Sequence, residues 1–372
     1  MQTWQMQSCV HENGTIENAF FEVEVREPGP DEVTLKIEAA PVNPSDLGLM
    51  FGPADAAQAS ASTRNGQTSI VAPLSAPAMR AFANRVGEWL PVGNEASGTV
   101  VAAGSSPAAQ ALMGKRVGAF GGEMYTGYRT LSVAQCLPLV DGTSAEEGAS
   151  CFVNPMTALG FVETMKMEGH TAIVHCAAAS NLGQMLNRIC LADGIPLVNI
   201  VRSAEQKALL TEQGAQWVLD SSEPDFMSAL EAAISATGAT LGFDPIGGGQ
   251  LTNQILVAME AAAVKRMTAF SRYGSEEHKQ VYIYGALDMS PTSLGRGYGF
   301  AWGVGGWLLT PFMKRAGGER VGAMMHRVAS ELTTTFASHY SDRVSLLNAL
   351  DLAAAQKYGR RATGQKTLIC GE

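Results

Sequence analysis

The chain has 372 residues, 46% of them hydrophobic and 16% charged. That is material for about two domains and excludes a peptide hormone, a disulfide-stapled module and a disordered chain. Its 26 basic against 35 acidic residues leave a net charge of −9, opposite in sign to the footprint of a nucleic-acid binder.

Six cysteines, none closer than 14 positions to the next, fit neither a zinc knuckle nor a secreted disulfide framework. Met1 to Gln7 lacks the basic and apolar regions of a signal peptide, so a cytoplasmic chain with free thiols is expected. The most apolar stretch, Phe300 to Met313, carries Gly303, Gly305, Gly306 and Pro311 and is too short for a membrane span. It reads as buried core, and no membrane partner is expected.

In chain order, residues 1–140 read as short strands broken by Gly and Pro. In Glu32 to Glu38 the apolar residues Val33, Leu35 and Ile37 alternate with polar ones, which predicts strand with one wet face. The stretch Pro53 to Val86, rich in Ala, Ser, Pro and Gln, reads as a long loop or lid over the substrate side, with a helix at Ala78 to Val86. From Thr171 the texture changes. Apolar runs at Ala172 to Cys176, Leu197 to Val201, Trp217 to Leu219, Leu241 to Phe243 and Val281 to Tyr284 alternate with helical patterns. Those patterns cover Leu182 to Ala192, Ala204 to Gln213, Asp225 to Ala236 and Gln250 to Ala262. Continuous apolar strands separated by helices predict an α/β doubly wound parallel sheet. After Leu308 come a helical run to Glu331, a β-like Thr333 to Phe336, a helix through Ala355 and a final strand at Lys366 to Cys370. This tail is expected to rejoin the first domain, giving segments 1–140, 141–310 and 311–372.

The first strand of the alternating half leads through Ala177, Ala178, Ala179, Ser180, Asn181 and Leu182 to Gly183 and a helix. Small residues at such a turn let backbone N–H groups approach a pyrophosphate, and the helix start adds partial positive charge. Against G-x-G-x-x-G only the last glycine is kept, so the surrounding βαβ pattern carries the reading. The next strand ends in Arg202 and Ser203, 19 positions beyond Gly183. An NAD site would place an acid there, whereas a guanidinium and a hydroxyl suit a 2′-phosphate. NADPH is favoured on that ground, with NADH the alternative and Glu205 close enough to count against the preference.

Six motifs stand in order along the chain: Val42-Asn43-Pro44-Ser45-Asp46; Gly93-Asn94-Glu95 with Gly98 and Gly104; Asn154-Pro155-Met156-Thr157-Ala158; the turn from Ala178 to Gly183; Asn199 to Arg202; and Arg361 to Lys366. In these the chain resembles the zinc-free, quinone-oxidoreductase-like branch of the medium-chain dehydrogenase/reductase superfamily, related to the 2-enoyl thioester reductases. The resemblance implies a GroES-like β-rich catalytic domain built from both chain ends, a Rossmann domain between them, and a dimer joined through a sheet edge. It implies that Asn43 donates to a substrate oxygen, that Thr157 contacts the nicotinamide, and that Ala179, Ser180, Asn181, Leu182 and Gly183 hold the pyrophosphate.

The same comparison shows departures. Zinc-dependent members carry a Cys before the Ser/Thr-Asp pair and a His in the second motif, where this chain has Asn43 and Gly93-Asn94-Glu95. Two of three protein ligands are lost, so no metal is expected. His170 and His175 bracket a buried strand and read as structural. The tyrosine that enoyl thioester reductases carry after the first motif is missing from Gly48 to Pro53, and Tyr128 reads as a core or surface residue. The expected activity is metal-free reduction of a conjugated enone or quinone, a small-molecule substrate, by NADPH. A non-catalytic NADPH-binding protein and a zinc-free alcohol dehydrogenase are the alternatives.

Overall fold

A computed structural model describes residues 1–360 and 365–371. Its chain divides into two units, Met1–Val153 with Met325–Glu372, and Asn154–Met324. Of the sixth motif, residues 361–364 lie outside the described residues, and Gln365 and Lys366 lie within them.

The first unit is built on two sheets. In one, Gln2–His11 pairs antiparallel with Thr15–Glu24, flanked by Leu90–Pro91 on one side and by Gln67–Pro73 and Ser60–Arg64 on the other. In the second, Glu32–Pro41 is central. Glu95–Ala103 and Tyr128–Ser132 pair with it, and so does Thr367–Cys370 from the chain's far end. Val33, Leu35 and Ile37 are buried in the core with Met6, Val10 and Phe20, as their alternation predicts.

The long loop expected over Pro53 to Val86 is corrected. Ser60–Arg64 and Gln67–Pro73 form an antiparallel hairpin that extends the first sheet, placing Ile70 and Ala72 in the core. Its two-residue turn is Asn65-Gly66, both at positive φ, the backbone that a tight hairpin connection requires. Arg64 donates two hydrogen bonds of 2.8 Å to Glu17, tying the hairpin to its neighbouring strand. The expected helix is also shorter and earlier, Ala76–Ala81 followed by a turn at Ala83–Arg85.

In the second unit we number the strands β1 (Ile173–Cys176), β2 (Leu197–Val201), β3 (Trp217–Asp220), β4 (Leu241–Asp244), β5 (Lys279–Ile283) and β6 (Trp302–Gly306). The helices are α1 (Asn181–Asp193), α2 (Ala204–Glu212), α3 (Phe226–Thr237) and α4 (Leu251–Val264). All strands are parallel, in the order β3-β2-β1-β4-β5-β6. Each βαβ passage is short enough to return its helix to the sheet, and the strand order reverses between β1 and β4. Both faces are covered. Gly242 on β4 faces Ile255 of α4, while its neighbour Phe243 stacks on Phe161 of helix Val153–Met167 at 3.9 Å.

Two further expectations are corrected. Phe300 to Met313 is no buried core segment: it contains edge strand β6, and Phe300 and Leu308 are 81% and 64% exposed. The β-like Thr333 to Phe336 is a turn closing helix Gly318–Glu331. No helix among the described residues is long and apolar enough to cross a membrane.

Candidate functional site

In the second unit the turn from β1 to α1 is tight because its residues are small. Ala177 takes φ +49, a left-handed backbone that glycine usually supplies and that costs about 1 kcal/mol or more for any other residue. Ser180 caps α1 by accepting from the Gly183 N–H at 3.1 Å. A methyl at Gly183 would lie 2.2 Å from the Ala178 carbonyl oxygen, so only hydrogen fits there. This is the close strand-to-helix approach of a dinucleotide cradle, at the carboxyl ends of the strands beside the order reversal. Ala179, Ser180, Asn181, Leu182 and Gly183 are therefore brought together, and their geometry fits a pyrophosphate.

Arg202 and Ser203 follow β2, which runs parallel to β1 with Cys176 opposite Ile200, so both segments leave the sheet at the same end. Arg202 is exposed, and its backbone N–H donates to Gln206. Ser203 caps α2 by accepting from the Gln206 N–H, and its hydroxyl holds the exposed Glu205 carboxyl below its usual range. Thr157 is buried on helix Val153–Met167 of the same unit. His175 is buried against the Tyr284 hydroxyl at 2.8 Å, and burial pulls its imidazole down to about 3, which leaves it neutral. His170 meets Thr240 at 2.7 Å. Tyr128 begins the strand that pairs with Glu32–Pro41. Sequence reasoning passed over Asp244 at the end of β4, which accepts from the Ile246 N–H and the Thr252 hydroxyl, both at 2.8 Å.

In the first unit two of the sequence motifs are laced together. Asp46 accepts from the backbone N–H of Asn43 and of Asn94, each at 2.8 Å. Asn94 in turn donates its side-chain amide to the Ser45 hydroxyl at 2.9 Å. Asn43, 1% exposed, donates its amide to Glu95 Oε1 at 2.8 Å, and its own Oδ1 accepts no bond from the described residues. The other oxygen of Glu95 accepts from the Phe152 and Val153 N–H groups at 2.7 and 2.9 Å. Lys366 is buried with its Nζ on the Ser150 hydroxyl at 2.7 Å, and Ser150 meets Tyr340 at 2.9 Å. Glu95 and Lys366 appeared in the motifs without a role. For Glu95 the available signal was a charged residue among the small residues of its motif, since such groups are buried only when paired.

Burial dominates the electrostatics of this cluster. It raises Asp46 to about 7, helped by the neighbouring Glu95 charge, and raises Glu95 as well. Burial also lowers Lys366 to about 8, against the pull of both carboxylates. A carboxyl that holds its proton more tightly folded than unfolded favours folding below the ordinary value near 4, and that contribution is lost as pH rises through about 7. Thermal melts between pH 5 and 8 are therefore expected to fall more steeply for the native protein than for Asp46→Asn. The limiting difference is about 1.4 kcal/mol per pH unit for one proton. Equal slopes would show that Asp46 does not titrate in that window. Among the described residues no group of three or more His, Cys, Asp and Glu is arranged to hold a metal ion.

No family model matches the chain. It is 27% identical over 158 residues, 42% of its length, to highly reducing polyketide synthase 40 of Fusarium pseudograminearum, and spans 6% of that much longer protein. Solved structures align over nearly all of it. A Mesorhizobium loti protein assigned as an NADPH:quinone reductase superposes with a TM-score of 0.71 at 24% identity, covering 99% of this chain and 98% of that one. Escherichia coli quinone oxidoreductase in complex with NADPH gives 0.68 at 16%, and the CurK enoyl reductase 0.70 at 14%, each over 100% of both chains. The chain thus has the mixed α/β fold of these solved quinone oxidoreductases and enoyl reductase, a β-rich domain with a parallel-sheet domain.

Proposed function

We propose that this protein is an NADPH-dependent oxidoreductase that reduces a conjugated enone or a quinone without a metal. The observation that carries the reading is the β1–α1 turn, closed so tightly on Gly183 that a methyl has no room, at the order reversal of a parallel sheet. Reduced nicotinamide, when bound, supplies hydride to the substrate carbon. The residues of this chain have the other tasks. The first turn of α1 and Ala179 to Gly183 bind the pyrophosphate, Thr157 contacts the nicotinamide, and Arg202 with Ser203 meets the 2′-phosphate. Because Ser203 also serves Glu205 and the α2 cap, Arg202 carries most of the preference.

Negative charge developing on the substrate oxygen needs a donor already in place. Asn43 fits that task. One amide N–H is held by Glu95, which fixes the carboxamide and leaves its second N–H for the oxygen. An alcohol oxidation would ask for a Lewis acid or a base at this position, whereas an enone or quinone asks only for one or two donors.

Cys9, Cys136, Cys151, Cys176 and Cys370, which are thiols outside any disulfide, support a reducing, cytoplasmic setting. A homodimer joined along β6 is supported by that strand's open edge, which carries Val304 between glycines and no charge or proline to block pairing.

The test is a panel of enones, enoyl thioesters, quinones and simple alcohols with both reduced and oxidised cofactors. Steady NADPH consumption with an enone or quinone is expected. Brisk oxidation of simple alcohols, or no turnover at all, would overturn the assignment, the latter in favour of a cofactor-binding protein. In the same series Arg202→Ala is expected to weaken NADPH on the order of tenfold, as loss of a charged hydrogen bond does, with NADH little changed. An unchanged preference would remove the phosphate contact.

A further inference from the structure

An open pocket of about 330 Å³ lies in the first unit, at the small end of the range for ligand sites. Its lining includes the apolar Leu49, Leu90 and Pro91 and the hydrogen-bonded Ser45 and Asn94 side chains. Gly121 and Gly122, with φ +115 and +90, add bare backbone to the lining. Such a space suits one or two flat rings carrying an oxygen. Asp46, which lines the pocket, sits on the same helical turn as Ser45 and accepts from the Asn43 backbone N–H, which puts the pocket beside the backbone of the candidate substrate-oxygen donor.

The charges around it are one-sided. Asp46 and Glu123 are the ionisable lining residues, and no Lys, Arg or His lines the pocket. Both Asp46 oxygens are occupied by backbone N–H groups. Glu123 is different: its side chain is half exposed, and its backbone, at φ +62, continues the left-handed run begun by the two glycines. Its ion-pair partner Arg129, 3.7 Å away, is largely buried, so the negative end of the pair is the accessible one.

We infer that Glu123 is a specificity-determining residue that makes this pocket select compact neutral or cationic conjugated carbonyls over anionic ones. The inference rests on the reading of the protein as an enone or quinone reductase. Apolar lining residues together with an accessible carboxylate make a like charge in the pocket unfavourable, and the effect weakens with salt. Acyl groups on phosphorylated carriers would then be poor substrates unless the carrier's phosphates stay clear of Glu123.

The experiment uses 1,4-naphthoquinone and its 2-sulfonate, one neutral and one anionic, titrated calorimetrically into the full chain saturated with oxidised cofactor, so that no turnover occurs. The native protein is expected to bind the sulfonate more weakly. Glu123→Gln should reduce the ratio of the two dissociation constants on the order of fivefold, and high salt should reduce it in the native protein but not in the variant. Glu123→Asn, which tolerates the left-handed backbone better, repeats the test if the first variant folds poorly. A ratio that neither variant moves, or that is insensitive to salt in the native protein, overturns the inference. Binding without reduction in the matching activity assay would instead overturn the proposed reaction and leave the charge selection standing.

Discussion

Asn43→Ala is expected to lower the turnover of an enone or quinone by about 10² to 10³, the usual consequence of removing one oxyanion donor. Cofactor affinity should stay near native, because the pyrophosphate turn belongs to the other unit. The same substitution strips a donor from Glu95, a carboxylate with no exposure, and an unsatisfied buried acceptor costs about 1–3 kcal/mol. A lower melting temperature is therefore also expected, and it must be separated from the kinetic effect. Turnover measured well below the melt, on protein shown by titration to bind cofactor fully, makes that separation. If the residual rate lies within threefold of native under those conditions, Asn43 is a structural partner of Glu95 and another donor serves the substrate oxygen.

How far such a site can be read from sequence depends on what makes each element form. Leu197–Val201 is legible because a strand covered on both faces is mostly apolar, here Leu197, Val198, Ile200 and Val201 around the buried Asn199. Strand β6 is not legible, since Gly303, Gly305 and Gly306 have little strand preference of their own. It becomes a strand only by pairing along β5, with Val281 opposite Val304. The hairpin at 60–73 hides for a related reason: Ser60–Arg64 is almost wholly exposed and so carries no burial pattern. Its Asn65-Gly66 turn was the one local signal, a strong one for a two-residue connection.

The site divides along the same line. The cofactor turn is local in sequence, so its small residues and final glycine could be recognised in a single stretch. The Asn43 cluster assembles residues 43, 46, 95, 150, 340 and 366, and nothing local records that Glu95 faces Asn43 or that Lys366 feels the charges of Glu95 and Asp46. Charges brought together by long-range strand pairing are visible only once Thr367–Cys370 is seen beside Glu32–Pro41.

Gly183→Ala should have the largest effect on cofactor binding of any single methyl group added to this chain. Its Cβ would sit 2.2, 2.6 and 2.8 Å from the oxygen, carbonyl carbon and Cα of Ala178. All three are backbone atoms, so no rotamer change relieves the overlap, and the turn itself must open. Overpacking of this kind typically costs about 1–3 kcal/mol. Because the displaced backbone is the part proposed to face the pyrophosphate, dinucleotide affinity should fall by at least about tenfold, the equivalent of some 1.4 kcal/mol. The control is Gly322→Ala on the exposed helix Gly318–Glu331, where an added methyl meets nothing within 4 Å. There the exchange should be neutral or stabilising by about 0.5–1 kcal/mol, as glycine replacement inside a helix usually is. Fluorescence titration of NADPH and thermal melts with and without it read both variants. Native affinity in a folded Gly183→Ala protein would mean that the dinucleotide does not rest on this turn, and with that the cofactor assignment of Ala179 to Gly183 would be lost.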